Sequence, residues 1–475
     1  MLGLFIIITI IIIGMLFFNR VPIINYILLS AFALMQAYIT IYEYYNINII
    51  ELEYFKPDAL SLILLMTLTI VSIPAIIHSH IYMEVRNESP RIRSIYYSAF
   101  ITLISSTGLA YLTNHIAVTW IFVEITTLSA SVLIYHRRTE RALEATWKYI
   151  FICAISITFV FIGILFLTMA SQEIGSSDLT YDTLIANAPN LNSFWLKMSF
   201  LFIFTGFTAK LGLVPMYTAG IDAKDKAPAP ASALFASILM NLGFLGIFRI
   251  YTIIAQTALI GWANNIIILA AFSSIFIAVV YMLKVKNIKR LFAYSGIEHM
   301  GIVMLGIAAG GVGYYAAILH IALHALVKSS LFFQFSQIYR IYQSKSIYDL
   351  GNYFKYNHAG ALVILFGFFC ATGMPPSGLF ISEFLIFRSL FESHHFVILI
   401  LVLFLLTMII WALGRKIFKL VFSPPVGFDE NNYIKINPLE SLPQFFLLGL
   451  SIYIGLNPPL EFVNLIQEAI KKLPR

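Results

Sequence analysis

His320-Ile-Ala-Leu-His324-Ala-Leu-Val-Lys328-Ser-Ser-Leu-Phe-Phe333 lies inside an apolar run that extends over residues 313–338. Steps of four place His320, His324 and Lys328 on one face of a helix. The run exceeds the about 20 apolar residues that a bilayer-crossing helix needs. A lysine at the centre of such a helix costs about 2.5–3.5 kcal/mol on insertion scales, so it persists where it is hydrated, paired or functional. A metal reading of His-x-x-x-His needs a third acidic or thiolate ligand. Ile321, Ala322 and Leu323 supply none, and no metal is expected. A lysine next in line favours a proton relay. Histidine titrates near neutral pH, and loss of water disfavours the charged form of a lysine.

The rest of the chain supports a membrane setting. Of 475 residues, 60% are hydrophobic and only 11% are charged, against about 25% charged in an ordinary soluble domain. That apolar content suffices for about fourteen spans. It excludes a soluble enzyme, a nucleic-acid-binding domain and a disordered scaffold. Unbroken apolar runs exclude a β-barrel, whose strands alternate. The runs fall at about 2–18, 22–42, 59–80, 95–113, 116–134, 146–170, 194–218, 231–253, 261–283, 291–309, 313–338, 360–392, 396–421 and 441–456. The first has no basic residue before it and no small-residue cleavage site after it, so it is expected to be a retained helix. Most of the 30 basic residues fall in alternate connections, among them Arg137, Arg138, Lys224, Lys226, Lys289 and Arg290. The long intervening connections are acidic, with Glu51, Glu53 and Asp58, then Glu173, Asp178 and Asp182. By the positive-inside rule both termini are expected outside. The basic tail, Lys471, Lys472 and Arg475, is the exception. Cys153 and Cys370 both lie within apolar runs and make no cluster, so no cofactor is expected on this chain.

Other ionisable groups interrupt the apolar runs. Glu124 is central in span five, with a structural ion pair as its plainer reading. Lys210 lies in span seven, too far from the loop to reach it comfortably. Pro215 removes a backbone hydrogen bond just beyond. Span twelve repeats the design: Gly373-Met-Pro375-Pro376-Ser-Gly378 breaks the run and Glu383 follows. Broken spans are a common way for transporters to build ion sites, and their recurrence hints at internal duplication. Asn241 is the mid-membrane polar group of span eight and can hold water but no charge. Glu298 and His299 are read near the cytoplasmic end of span ten. With Lys148 they are candidates for proton entry. Glu124, Lys210, Asn241, His324, Lys328 and Glu383 then form a half-hydrated axis across the membrane plane.

At these residues the chain resembles the antiporter-like subunits shared by respiratory complex I, energy-converting [NiFe] hydrogenases and multisubunit sodium/proton antiporters. The resemblance covers roughly residues 55–425. It rests on Glu124 beside Trp120, Lys210 with Gly212-Leu-Val-Pro215, and Ala227-Pro-Ala-Pro-Ala-Ser232-Ala. Ile288-Lys-Arg-Leu-Phe-Ala-Tyr294-Ser295, the His320–Lys328 stretch and Gly373–Gly378 complete the set. Leu143–Tyr149, Ser295–Gly301 and Gly373–Phe384 most resemble the F-type subunit of the hydrogenase-4 and formate hydrogenlyase group. One departure stands out. Where relatives show His-x-Trp-Leu-Pro-Asp-Ala-His, this chain reads Tyr217-Thr-Ala-Gly-Ile-Asp222-Ala-Lys224.

The resemblance implies an all-α polytopic membrane protein of about 14 transmembrane helices, with two inverted five-helix repeats and broken helices 7 and 12. Helices 1–3 would occupy residues 1–94, the repeats 95–255 and 256–421, and helix 14 with the tail 422–475. Glu124 and Lys210 would be the coupled pair of one half-channel, and Lys328 and Glu383 would serve the other. Asn241 stands where relatives carry a lysine or histidine. The implied function is proton translocation in a redox-driven complex in a prokaryotic inner membrane. The partners would be other antiporter-like subunits and a peripheral redox module, with no nucleic acid. A sodium/proton antiporter subunit is one alternative, and a proton-driven partner of a carbon-dioxide-hydrating protein is another.

Overall fold

The computed structural model describes residues 1–430 and 433–474. Its helices are α1 (Leu2–Phe18), α2 (Pro22–Tyr45), α3 (Ala59–Val85), α4 (Pro90–Leu112), α5 (Ile116–Ile134), α6 (Glu140–Glu173), α7 (Tyr181–Asn187), α8 (Ser193–Leu211), α9 (Ala219–Lys226) and α10 (Ala229–Ala236). There follow α11 (Ile238–Ile254), α12 (Ile260–Lys284), α13 (Ile288–Ala309), α14 (Val312–Tyr342), α15 (Tyr353–Tyr356), α16 (His358–Ala371), α17 (Gly378–Glu392), α18 (Phe396–Phe422), α19 (Leu442–Leu456) and α20 (Leu460–Ile470). Among the described residues twelve helices are long and apolar enough to cross a membrane. Two shorter apolar helices, α1 and α16, occupy the places expected for spans one and twelve. Among the described residues these two fall short of full span length, α1 by its 17 residues and α16 because the break follows it.

The helices sort by which solvent they face. In α1, Ile10, Ile11 and Phe18 are exposed, and in α18 so are Val397, Ile400, Phe404 and Trp411. Exposed aliphatic and aromatic rows suit a hydrocarbon surround, which solvates them as well as a protein core does. The best apolar stretches of α13, α14 and the α10–α11 pair are wholly buried. The polar residues of these central helices therefore face protein, the only place where membrane-depth polar groups find partners.

Both expected breaks form. Helix α8 stops one residue after Lys210, where Gly212 takes φ +88°. Its N–H bonds Thr208 O at 2.8 Å. Pro215 then prevents immediate resumption. The second break separates α16 from α17, with Gly373 at φ +56° and Ser377 capping α17 by accepting from the Phe380 N–H at 3.1 Å. A further interruption was not foreseen: Ser237 leaves helical geometry between α10 and α11, and Tyr111 donates from its hydroxyl to Ile238 O at 2.7 Å there.

The charged ends tie the bundle together. Met1 N donates to Glu51 Oε2 at 2.9 Å, and Lys56 and Lys472 both bind Asp182, at 2.6 and 3.1 Å. Both described ends of the chain thus share one face with the acidic connections. Arg475 lies outside the described residues. Arg249 is paired with Asp58, which also caps α3 by accepting from Ser61 N at 2.8 Å. Burial opposes ionisation of Asp182, but the hydrogen bonds from Lys56 and Lys472 hold its carboxyl at about 2.

Candidate functional site

Lys210 is buried at the end of α8. Its Nζ donates to Thr126 Oγ1 at 3.1 Å, Thr127 Oγ1 at 2.9 Å and Tyr149 OH at 3.2 Å. The expected ion pair with Glu124 does not form: no N–O contact within the 4.0 Å that defines a salt bridge joins them among the described residues. Thr127, one turn along α5 from Glu124, stands between them, because an i+3 neighbour covers the same helix face. Glu124 is half-buried and its Oε2 has no partner. Lys148, next to Tyr149, is exposed and pairs with Glu144 at 2.5 Å. It thus has the surface position expected of it.

Lys224 had been read as a loop charge, but it is buried, with 4% of its surface exposed. The carboxylates beside it are engaged elsewhere: Asp222 with Arg290, at 2.6 Å, and Asp225 with Lys226 and Lys345, at 2.8 and 3.1 Å. Lys224 Nζ instead lies 3.2 Å from Met240 Sδ, a weak acceptor. Lys210 and Lys224 line one cavity of about 20 Å³ with Tyr149 and Tyr217, enough for about one water. A Cβ placed on Gly296 would be 3.9 Å from Lys224 Nζ. The adjacent Ser295 accepts from Lys328 Nζ at 2.7 Å. Lys224 therefore stands between Lys210 and Lys328. A signal for it existed: relatives show histidine at this position in the motif. Charge counting hid it among the loop residues.

Asn241 is fully buried and both of its amide atoms lack partners. The same holds for both ring nitrogens of His324 and for Glu298 Oε2. A buried polar group without a hydrogen bond costs about 1–3 kcal/mol. Their recurrence along one line points to water in that line.

The second half is denser than its sequence suggested. His299 Nδ1 is 3.1 Å from His320 Nε2 and 3.6 Å from Glu383 Oε1. His299 Nε2 contacts Ala371 O at 3.2 Å, and His320 Nδ1 contacts Ser382 Oγ at 2.9 Å. Glu298 and His299 are buried, so they belong to this interior cluster and not to a surface entry. The reason is that the apolar stretch of α13 that carries them is wholly buried. Pro375 and Pro376 lie in the turn that sends α17 back toward His299. Gly373 in that turn has no side chain where the Glu383 carboxylate lies. The third, acidic metal-type ligand absent from the His320–His324 spacing is supplied here from another helix.

Sequence reasoning also missed a neutral network at the far end of α14. Gln334 Nε2 donates to Gln337 Oε1 at 2.8 Å and to Tyr353 OH at 2.7 Å. Asn357 Nδ2 donates to Gln337 Oε1 at 2.8 Å, and Gln444 links the group to His78 at 3.2 Å. Gln334 and Gln337 lie an i+3 step apart and so share a face of their own on α14, away from that of Lys328; their polar side chains inside an apolar run were the available signal. Lys289, another supposed loop charge, donates to Ala227 O at 2.9 Å and Ser232 Oγ at 3.0 Å. It thereby clamps the Ala227–Ala233 segment that opens α10.

The description NADH:quinone oxidoreductase/Mrp antiporter, transmembrane, belongs to the family model that matches residues 113–409. The hydrogenase-4 component F homolog of Methylacidiphilum infernorum (isolate V4) is 30% identical over 414 residues, 85% of this chain and 86% of that protein. A chain of the membrane-bound sulfane sulfur reductase, an archaeal respiratory membrane complex, has a TM-score of 0.87 at 21% identity, covering 99% of this chain and 97% of that one. A chain of respiratory complex I from Thermus thermophilus has a TM-score of 0.77 at 17% identity, covering 96% and 98%. Both structures speak for the fold, and both are subunits of multisubunit membrane complexes. The match over more than half of the chain, and the relative at 30% identity, show that this chain belongs to the NADH:quinone oxidoreductase/Mrp antiporter transmembrane family, as a multi-pass antiporter-like subunit of the complex I and hydrogenase kind.

Proposed function

We propose that the chain moves protons across a prokaryotic inner membrane as one subunit of a redox-driven complex, beside other antiporter-like subunits and a peripheral redox module. The observation that carries this reading is the buried row Lys210, Lys224, Lys328, His299–His320 and Glu383, accompanied by the buried polar atoms of Asn241, His324 and Glu298 that have no hydrogen-bond partner within the protein. Buried ionisable groups in a membrane mark ion pathways.

In this reading the segments 95–255 and 256–421 act as two half-channels, the acidic face with both termini is outside, and Lys148 lies near an inner entry. Lys210 holds its proton through Thr126, Thr127 and Tyr149. A shift of α5 that brings the Glu124 carboxylate past Thr127 strengthens that hold, and withdrawal weakens it, because an opposite charge favours the protonated lysine. Release sends a proton through the water-sized cavity to Lys224, on to Lys328 and the histidines, and out through Glu383.

The test is Lys210→Ala in the assembled complex in vesicles, with proton uptake followed during turnover. Uptake should fall to background while the redox module still turns over. Full uptake would overturn the assignment. Sodium-dependent uptake would assign the same row to sodium/proton exchange.

A further inference from the structure

The hydrogen-bond partners of His299 and His320 fix where their protons lie. Ala371 O only accepts, so His299 Nε2 carries a hydrogen. Ser382 Oγ donates its one hydrogen to Leu379 O at 2.9 Å. It must therefore accept from His320 Nδ1–H. A neutral imidazole has a single N–H. The two inner nitrogens, His299 Nδ1 and His320 Nε2, then face each other at 3.1 Å as two lone pairs. Glu383 Oε1 adds a third electron pair, 3.6 Å from His299 Nδ1. All three ligand atoms lie within 4.8 Å of one another. Three acceptors converge with no donor among them, so a positive occupant is required: a shared proton or a metal ion.

We propose that His299, His320 and Glu383 form a binding site for a divalent transition metal, with Zn²⁺ the best fit, and that the metal competes there with the shared proton. A tetrahedral ion with bonds of about 2.0–2.1 Å sets its ligand atoms about 3.3 Å apart, and the observed 3.1 and 3.6 Å bracket that edge. Two imidazoles and a carboxylate form a set that Zn²⁺ accepts, with a fourth position open. Ala371 O and Ser382 Oγ orient the rings from behind, as outer partners of metal-binding histidines do. Glu298, whose Oε2 is 3.7 Å from His299 Nε2, stands behind that ring as a further outer partner. A cavity of about 330 Å³, walled by α17 and α18, borders both Glu298 and Glu383 beside Thr372 and Gly373. The competition with the proton rests on the proposed function; the binding does not.

The test uses the purified full chain and Co²⁺ as a spectroscopic probe. One Co²⁺ per chain with strong visible bands of tetrahedral type, displaced by Zn²⁺, is the expected result. His299→Gln and Glu383→Gln should abolish the bands. Ser382→Ala, which keeps every ligand, should weaken binding by about 10–100-fold, as loss of an outer partner does. His324→Gln should leave the bands unchanged, because His324 is outside the set. A spectrum equal to that of aqueous cobalt, or bands that survive His299→Gln, would overturn the site. In vesicles of the assembled complex, Zn²⁺ should inhibit proton uptake by wild type, and Ser382→Ala, which keeps every ligand, should need about 10–100-fold more Zn²⁺ for the same inhibition. Tetrahedral binding with uptake unaffected would uphold the site and remove His299, His320 and Glu383 from the proton path.

Discussion

Replacing Gly373 by alanine tests whether the position of the Glu383 carboxylate matters. A Cβ on Gly373 would be 2.8 Å from Glu383 Cδ and 3.2 Å from Oε1, and would meet Oε2 closer still. Ordinary contact between heavy atoms is about 3.5–4.0 Å, so the carboxylate must retreat by about 1 Å. That retreat widens a gap to His299 that is already 3.6 Å. A misplacement of 1 Å can slow a positioned reaction by about 10²-fold. Alanine at φ +56° adds a backbone cost of roughly 1–2 kcal/mol. Gly311 provides the control: it has φ +54°, and a Cβ there would meet nothing within 4 Å. Gly311→Ala also forces alanine into a positive-φ conformation that favours glycine, without the collision. Proton uptake, measured by quenching of a pH-sensitive dye in vesicles, should fall about 10–100-fold in Gly373→Ala and stay near wild type in Gly311→Ala. Equal uptake in the two variants would refute the claim that this carboxylate must sit beside His299.

Lys224→Met should assemble normally and lose most uptake, whereas Lys224→Arg should keep more of it; full uptake by the methionine variant would remove Lys224 from the row. Asn241→Leu should leave thermal stability near wild type, because no protein group loses a hydrogen bond, yet should reduce uptake by displacing water. A leucine variant that transports at the wild-type rate would show that this water is not on the path. Asp182→Asn at neutral pH should loosen α20 and speed proteolysis of the tail by a few fold, as expected for loss of exposed ion pairs. The sign with pH follows from a folded value of about 2, below the unfolded value of about 3.9. The carboxylate's contribution is complete above about pH 4 and is lost as pH falls toward 2, so tail protection in wild type should decline only in that window.

The membrane setting, the sites of both helix breaks and most of the buried ionisable residues were legible in one dimension. Each depends on local quantities. Apolar run length decides whether a segment prefers hydrocarbon. Gly212 with Pro215, and Gly373 with Pro375 and Pro376, decide where a helix stops. Steps of four decide that His320, His324 and Lys328 share a face. The tertiary structure alone decided which groups meet. Glu124 and Lys210 are separated by Thr127 because α5 and α8 both pack against α6 and meet only at that register. Lys224 looks like a loop charge in one dimension, but chain reversal at the first break folds it inward against Met240 and Gly296. His299 looks like a terminal residue of its span, yet it meets His320 and Glu383 because α13, α14 and α17 converge there. Distances between residues on different helices are set by packing, and packing depends on all the helices at once.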